Sequence, residues 1–203
     1  MKISHHRLIA DRGESLCHVE TPNLGDAMTP EYLVIHYTAG CSAEGAVAWL
    51  CDPAARASAH LVIGRDGSLT QLAPFNRVTW HAGRSLWAGR SNVNSCSIGI
   101  ELDNAGRLER VGECWRSSIG QREYPDNQVL IANHQHDRPG TPPCGWHRYS
   151  QAQLAAAGEV GMLLVREYAL KDVVGHDDIA PGRKSDPGPA FPLASFRALL
   201  LGD

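Results

Sequence analysis

The stretch from Val173 to Phe191, VVGHDDIAPGRKSDPGPAF, constrains the fold of this chain more than any other. Val173 and Val174 are typical of the end of a buried strand, and His176 follows them after one glycine. Prolines at positions 181, 187 and 189 then exclude a helix or a central strand, because proline lacks an amide proton and fixes φ. The segment is therefore predicted to be a rigid loop that returns Asp186 to the imidazole of His176.

A histidine nitrogen and a carboxylate oxygen brought together in this way are ligands that zinc prefers. Catalytic zinc sites commonly use three protein ligands and leave one position open for water. The third ligand must then come from another part of the chain. The alternative is a structural loop in which Asp186 caps backbone amides and the neighbouring Arg183 and Lys184 are solvated.

His36 is the candidate third ligand. It interrupts the apolar, β-rich run Tyr32–Tyr37, which is typical of a strand covered on both faces. Taken alone, such a histidine is more often a hydrogen-bonded core residue than a ligand. However, His36 and His176 each close an apolar β run and precede small or turn-forming residues. Neighbouring strands would therefore bring both imidazoles to one rim of a sheet.

Composition narrows the class of protein. The 203 residues are 43% hydrophobic and 20% charged, which fits a single globular domain. A net charge of −3 and a pI near 6.3 give no electrostatic basis for binding nucleic acid or an anionic membrane. No signal peptide or transmembrane stretch is visible, so a cytoplasmic location without membrane insertion is expected. The six cysteines are scattered and expected to be reduced thiols, and the sequence does not indicate an oligomeric state.

Local patterns predict the remaining elements. Turn formers dominate residues 1–30, which are expected to form an arm over the surface of a domain spanning 31–203. Residues 107–150 lack a long periodic run and are predicted to be an elaborated insertion that can cover the site. The other predicted elements are a helix capped by Ser42 with Ala46, Val47, Trp49 and Leu50 on its apolar side, a hairpin of strands 58–63 and 68–72, a strand at 97–102, a helix from a capping box at Ser150 through Tyr168, and a last helix after Pro192 with Phe196, Leu199 and Leu200 inward.

Glu101 and Lys184 are candidate catalytic residues. A carboxylate partly desolvated beside an apolar strand suits the transfer of a proton from water to a leaving amine, although a solvated strand-end glutamate is the commoner fate. Lys184 would place an ammonium group next to a developing oxyanion. Trp80, His81 and Tyr37 are candidate substrate contacts, with core packing as the alternative for the tryptophan and a role behind the ligands as the alternative for His81.

Two further groups of residues are weaker candidates for a functional site. His134, His136, Cys144 and His147 lie within the insertion, but their spacing fits no common zinc pattern, so solvated loop residues are expected. Cys41 follows His36 closely and raises the alternative of a Cys-His peptidase. Nothing in the sequence identifies the third group that would orient such a pair.

Five blocks of sequence together resemble the zinc-dependent N-acetylmuramoyl-L-alanine amidases, in content and in order. This family includes cytosolic muropeptide-recycling amidases, phage lysozyme-type amidases and peptidoglycan recognition proteins. The blocks are LVIHYTAG at 33–40, SAHLVIGRDGSLTQL at 58–72, TWHAGRS at 79–85, NSCSIGIELDNAG at 94–106 and GHDDIAPGRKSDPGPAF at 175–191.

The resemblance implies an α/β fold in one domain, with a mixed central β-sheet flanked by helices on both faces, and Zn²⁺ as cofactor. It places the metal ligands on His36, His176 and Asp186, the catalytic acid/base on Glu101 and the transition-state lysine on Lys184. The chain has Ala59 before His60 where the phage and recognition-protein branches usually carry a catalytic tyrosine. Several branches have a cysteine as the ligand at the position where this chain has Asp186, and both features favour the recycling-like branch.

The implied activity is hydrolysis of the amide bond between N-acetylmuramic acid and L-alanine, in peptidoglycan or muropeptides. The alternative is a non-catalytic peptidoglycan-binding sensor of the same fold. Sensors typically lack a metal ligand, and this sequence retains all three.

Overall fold

The structure is a computed structural model that describes residues 1–11 and 16–202. Its strands, in chain order, are β1 (Lys2–Ser4), β2 (Arg7–Ile9), β3 (Leu16–His18), β4 (Leu24–Ala27), β5 (Tyr32–Tyr37), β6 (Leu61–Ile63), β7 (Leu69–Gln71), β8 (Arg77–Thr79), β9 (Leu86–Trp87), β10 (Arg90–Ser91), β11 (Ser97–Leu102), β12 (Arg107–Val111), β13 (Cys114–Ser117), β14 (Glu123–Tyr124), β15 (Val129–Ala132), β16 (Cys144–His147) and β17 (Asp172–Gly175). The α-helices are α1 (Ala43–Leu50), α2 (Gln151–Tyr168), α3 (His176–Ile179) and α4 (Leu193–Leu201).

The central sheet contains six strands in the order β17-β5-β11-β6-β7-β3. β5 pairs in parallel with β17 and β11, whereas β6 and β7 form the antiparallel hairpin that the Asp-Gly turn predicts. The first hairpin strand begins at Leu61 rather than at the predicted residue 58. The sheet is therefore mixed, as the resemblance implies.

Side-chain alternation assigns the two faces of this sheet. Leu33 and Ile35 of β5 belong to the main core, which α2 and α4 cover. Val34 belongs to a second cluster on the opposite face, together with Ile179 of α3. Because successive strand residues point to opposite faces, His36 shares the face of Val34. Helix α1 covers a further part of this second face, so helices flank both sides of the sheet.

The helices begin where their capping residues predict. Ser42 caps α1, and Ser150 forms a capping box with Gln153 at the start of α2. Two predicted core positions are wrong: Trp49 is 60% exposed and Leu199 is 61% exposed. On each short helix the neighbouring positions already fill the side that meets the sheet.

The N-terminal segment is more tightly integrated than the predicted surface arm. Strand β3 joins the central sheet beside β7, β4 pairs with β8, and Leu8 is fully buried in the main core. Residues 12–15 of this predicted arm lie outside the described part of the chain. The segment therefore contributes to the core as well as covering it.

The predicted insertion forms a five-stranded antiparallel sheet in the order β14-β13-β12-β16-β15. It has an apolar cluster of its own, which includes Leu108, Trp115, Tyr124 and Val129. Among the described residues, no helix combines the length and the apolar character that crossing a bilayer requires. All six cysteines lie in the described part of the chain and are free.

Candidate metal centre and active site

The predicted metal ligands meet at the carboxyl ends of β5 and β17, next to the end of β11. His36 is the penultimate residue of β5, and His176 directly follows β17 as the first residue of α3. Because β5 and β17 are parallel neighbours, both imidazoles arrive at one edge of the sheet. The loop after α3 returns Asp186 to the same point, as its prolines predict.

Three ligand atoms form a close triangle. His36 Nδ1 lies 2.9 Å from His176 Nδ1 and 2.9 Å from Asp186 Oδ2, and His176 Nδ1 lies 2.8 Å from the same oxygen. All three side chains are buried. Within the described residues this is the one group of three or more His, Cys, Asp or Glu side chains arranged to hold a metal ion.

Each of the two imidazoles has an acceptor beside its Nε2 atom, the ring nitrogen that points away from the triangle. His36 Nε2 lies 2.9 Å from His81 Nδ1, and His176 Nε2 lies 3.2 Å from the carbonyl oxygen of Ala82. In the neutral rings each Nε2 therefore donates its proton, and each Nδ1 presents a lone pair to the triangle. Two such lone pairs and a carboxylate oxygen within 3 Å repel one another unless a cation lies between them. The donor set therefore fits a divalent metal.

Burial and the contacts within the triangle favour the ligating protonation states of His36 and Asp186. Desolvation, together with the nearby His176, lowers the pKa of His36 to about 4, so the ring is neutral near pH 7. Burial alone would raise the pKa of Asp186, but the close contacts of its carboxylate with the His176 and His36 rings outweigh burial, and the pKa is lowered. The site thus offers a neutral nitrogen of His36 and an anionic oxygen of Asp186 beside the Nδ1 atom of His176.

His81 lies behind His36, as the alternative interpretation of this residue predicts, and it also lines the cleft. Its Nε2 lies 3.2 Å from Ser97 Oγ and 3.4 Å from the Ser97 carbonyl, so its Nδ1 is free to accept from His36. Gly99 of β11 makes this possible, since a Cβ atom there would lie 2.5 Å from the His81 ring. The glycine that interrupts the predicted strand is therefore the surface on which His81 packs.

Glu101 lies beside His36 on the same face of the sheet, because the register of β11 and β5 pairs the two residues. Its Oε2 is buried and has no hydrogen-bond partner within the described part of the chain. Desolvation, reinforced by the charge of Asp186, raises the pKa of this carboxyl well above its usual value, and Lys184 partly opposes the shift. A carboxyl with a raised pKa is a stronger base than a solvated glutamate, as a group that accepts a proton from water must be.

The other predicted residues line the cleft above the triangle, which has a volume of about 720 Å³. Lys184 and Trp80 lie on its wall. The Tyr37 hydroxyl lies 2.7 Å from Ser185 Oγ, and burial raises the pKa of this tyrosine to about 12. Arg183, solvated in the structural-loop alternative, instead donates to the carbonyls of Ala82 and Arg84, both at 2.7 Å.

Two cleft residues were missed by sequence reasoning. Trp49 of α1 and Ile119 of the insertion are 60% and 53% exposed and both line the cleft. A signal for Trp49 was present in the sequence: other apolar residues of α1 already occupy the side that packs on the sheet, which leaves this tryptophan exposed. Ile119 carried no signal, because the loop between β13 and β14 reaches the cleft only through tertiary packing. The insertion was predicted to cover the site, and Ile119 is its one residue among those that line the cleft.

Two of the three insertion histidines are structural rather than solvated, whereas His136 is exposed as predicted. His134 and His147 are buried, and His147 Nδ1 accepts from the amide of Ala105. Neither belongs to a potential metal group within the described residues. The Cys41 thiol donates to the carbonyl of Ile119 rather than to a histidine, which removes the geometric basis for a Cys-His pair.

Comparison with known proteins agrees with this geometry. A sequence profile described as N-acetylmuramoyl-L-alanine amidase matches residues 26–189. The chain belongs to this amidase family. It is 32% identical over 194 residues to the 1,6-anhydro-N-acetylmuramyl-L-alanine amidase AmpD of Escherichia coli K12, covering 86% of this chain and 85% of AmpD. It is 36% identical over 146 residues to AmpD of Citrobacter freundii, covering 71% of this chain and 58% of that relative.

Solved structures show the same fold. A selenomethionine derivative of AmpD superposes with a TM-score of 0.64 at 27% identity, over 98% of this chain and 99% of that one. The E. coli amidase AmiD, solved with anhydro-N-acetylmuramic acid-L-Ala-D-γ-Glu-L-Lys, gives a TM-score of 0.63 at 29% identity, over 85% of this chain and 58% of AmiD. The predicted α/β architecture and the resemblance to recycling-like amidases are both confirmed.

Proposed function

We propose that this chain is a zinc-dependent amidase that hydrolyses the bond between N-acetylmuramic acid and L-alanine in peptidoglycan or muropeptides. The observation that carries the proposal is the triangle of His36, His176 and Asp186 at the floor of a cleft that also contains Glu101. The names of the amidase relatives support the same substrate class.

His36 Nδ1, His176 Nδ1 and Asp186 Oδ2 would hold the metal. A bound Zn²⁺ supplies Lewis acidity, which makes water more acidic and polarises a carbonyl group. His81 and the carbonyl of Ala82 orient the two imidazoles through their Nε2 protons. Arg183 fixes that carbonyl in turn, so the ligand geometry is set by the fold.

Glu101 moves the proton in this scheme. Its carboxylate accepts a proton from the water that attacks the lactyl carbonyl carbon, and it then delivers that proton to the nitrogen of the departing L-alanine. The raised pKa of Glu101 suits the first step, because it makes the carboxylate a stronger base than a solvated glutamate. The carbon-nitrogen bond breaks as the nitrogen is protonated, leaving a carboxylic acid on the sugar and a free peptide amine, and the acid then loses its proton to give the carboxylate and an ammonium group.

Lys184 supports the charge that develops on the carbonyl oxygen. Its ammonium group lies on the cleft wall, and its charge acts on both Glu101 and His36. A positive charge beside the reacting carbonyl stabilises an oxyanion more than it stabilises the neutral amide. Trp80, Trp49 and Tyr37 are proposed to contact the sugar or the stem peptide.

Mass spectrometry of a purified anhydromuropeptide after incubation with the protein tests the proposal. The expected products are the anhydromuramic sugar and the intact stem peptide, formed without chelator and absent with it. Cleavage at another bond, or cleavage that persists after the metal is removed, would contradict the proposal. Retention of bound but uncut muropeptide would instead favour the non-catalytic sensor.

A further inference from the structure

The insertion is joined to the ligand-bearing segment through residues 133–137, NHQHD, which we call the insertion turn. His134 Nε2 lies 2.8 Å from Asp177 Oδ2, and both side chains are buried. His136 Nε2 lies 3.0 Å from the carbonyl oxygen of Asp177, and Gln135 Nε2 donates to Asp178 Oδ1 at 3.0 Å. Three consecutive side chains of the turn therefore contact the residues that directly follow His176.

The direction of the central hydrogen bond is fixed. His134 Nδ1 accepts from the amide of His136 at 3.2 Å, so Nε2 carries the proton and donates it to Asp177. The other carboxylate oxygen of Asp177, Oδ1, is buried without a hydrogen-bond partner in the described part of the chain. A buried carboxylate is costly unless it is hydrogen-bonded, so the bond from His134 compensates the burial of Asp177.

This bond bears on the metal site because α3 is a helix of four residues. A single helical turn is not stable alone, so contacts from outside determine its orientation. His176 is its first residue and Asp177 its second. The amide of Asp177 also donates to the carbonyl of Asp186 at 2.8 Å, which connects the same residue to the second ligand segment.

The insertion supports the Asp186 segment by a second contact. The His134 ring stacks on Trp146, with ring centroids 5.6 Å apart and an interplanar angle of 27°. Trp146 is fully buried and packs on Gly188, where a Cβ atom would lie 2.6 Å from the indole ring. The insertion thus contacts both loops that present ligands from the C-terminal part of the chain.

From these contacts we infer that His134 is a positioning residue for the metal centre, which orients His176 through Asp177. The inference rests on the proposed zinc function. It gives the insertion a role in the site other than covering it. Residues outside the ligand set that orient metal-binding side chains typically change metal affinity about 10- to 100-fold when they are replaced.

The test compares zinc affinities of three variants of the full chain by competition with a chromophoric chelator. His134→Phe keeps a ring on Trp146 and removes the donor, and it is expected to weaken zinc binding about 10- to 100-fold. His134→Gln restores a donor without the ring and is expected to recover most of that loss. Gln135→Ala, which removes the exposed bond of the same turn, is the matched control and is expected to bind zinc like the original chain.

A second comparison separates positioning from packing. Asp177→Ala should weaken zinc binding as much as His134→Phe does, and the double variant should lose no more than either single variant. Zinc affinity of His134→Phe equal to that of the original chain would overturn the inference, as would additive losses in the double variant. If His134→Phe does not fold, Asp177→Ala with unchanged zinc affinity is the overturning result. Absence of zinc binding in the original chain would contradict the proposed function itself.

Discussion

At the residue scale, Glu101 is the side chain whose chemistry depends most on its surroundings. Glu101→Gln keeps the shape of the side chain but removes its ability to accept a proton, so turnover of an anhydromuropeptide is expected to fall about 10²- to 10⁴-fold. Zinc content should be unchanged, because Glu101 is not part of the ligand triangle. Initial rates measured by chromatography, with metal content measured in parallel, check both statements.

The control for this variant is Glu109→Gln, which changes an exposed glutamate on β12 and should leave the rate unchanged. Near-full turnover by Glu101→Gln would remove Glu101 from the proposed proton path. Loss of zinc together with turnover would show that the variant disturbs the ligands.

Trp49 offers a separate residue-scale prediction about substrate binding. Its exposed indole lines the cleft on α1, and aromatic rings provide large contact surfaces for sugars and peptides. Trp49→Ala is therefore expected to raise KM about tenfold with little change in kcat. The variant loses about 1.4 kcal/mol of binding energy that the substrate and the transition state share equally. Leu199→Ala removes an equally exposed apolar side chain from α4 and should change neither constant. An unchanged KM for Trp49→Ala would place the substrate elsewhere.

At the scale of elements, α2 shows how a local sequence signal specifies structure. The Ser150 side chain accepts from the amide of Gln153, and the Gln153 side chain reaches back to the amide of Ser150. Ser150→Ala removes the first of these bonds and is expected to lower the free energy of unfolding by about 1 kcal/mol. Urea unfolding measures the change, with the exposed Ser118→Ala as the control. Equal stability of the two variants would show that the cap is dispensable.

Elements with such local signals were predictable, and elements that depend on distant contacts were not. The cap of α1, the hairpin of β6 and β7 and the apolar strands β5 and β11 all follow from neighbouring residues. Strand β3 has only three residues and becomes part of the sheet by pairing with β7, some fifty positions away. The insertion strands, two to five residues long, likewise form through mutual pairing that no local pattern indicates.

At the scale of the whole molecule, the meeting of His36, His176 and Asp186 was predictable from the order of strands and loops. Two histidines that end apolar strands meet when the strands are parallel neighbours, and prolines restrict the loop that returns Asp186. The sequence left His81 open between a substrate contact and a role behind the ligands, since its place depends on the close approach that Gly99 allows. The contact of His134 with Asp177 joins residues 43 positions apart, and no local sequence pattern indicates it.

The stability of the metal-free protein is expected to depend on pH, because some of its buried histidines are neutral. His36 and His60 each have a pKa lowered to about 4 by burial. Between about pH 6.5 and 4, these two histidines therefore bind more protons in the unfolded chain than in the folded one. Their contribution to the free energy of unfolding is complete above pH 6.5 and is lost as the pH falls. The raised pKa of Glu101 acts in the opposite direction, because its folded form loses stability as the pH rises above the value of the unfolded carboxyl.

Urea unfolding of chelator-treated protein at pH 7.5 and 5.0 measures this dependence. Each of these two histidines is expected to contribute a loss of about 1–2 kcal/mol at the lower pH. His60→Gln should reduce the difference between the two pH values, whereas the exposed His5→Gln should not. A free energy of unfolding that does not fall at pH 5.0 would contradict the assignment of neutral buried rings.

The most direct test of the central claim is the zinc content of Asp186→Ala, measured by atomic absorption after dialysis beside the original chain. If two imidazoles and one carboxylate jointly hold the ion, the original chain retains about one zinc per molecule and the variant retains almost none. An equal zinc content in the two proteins would show that the metal, if present, lies elsewhere, and the proposed active site would then be wrong.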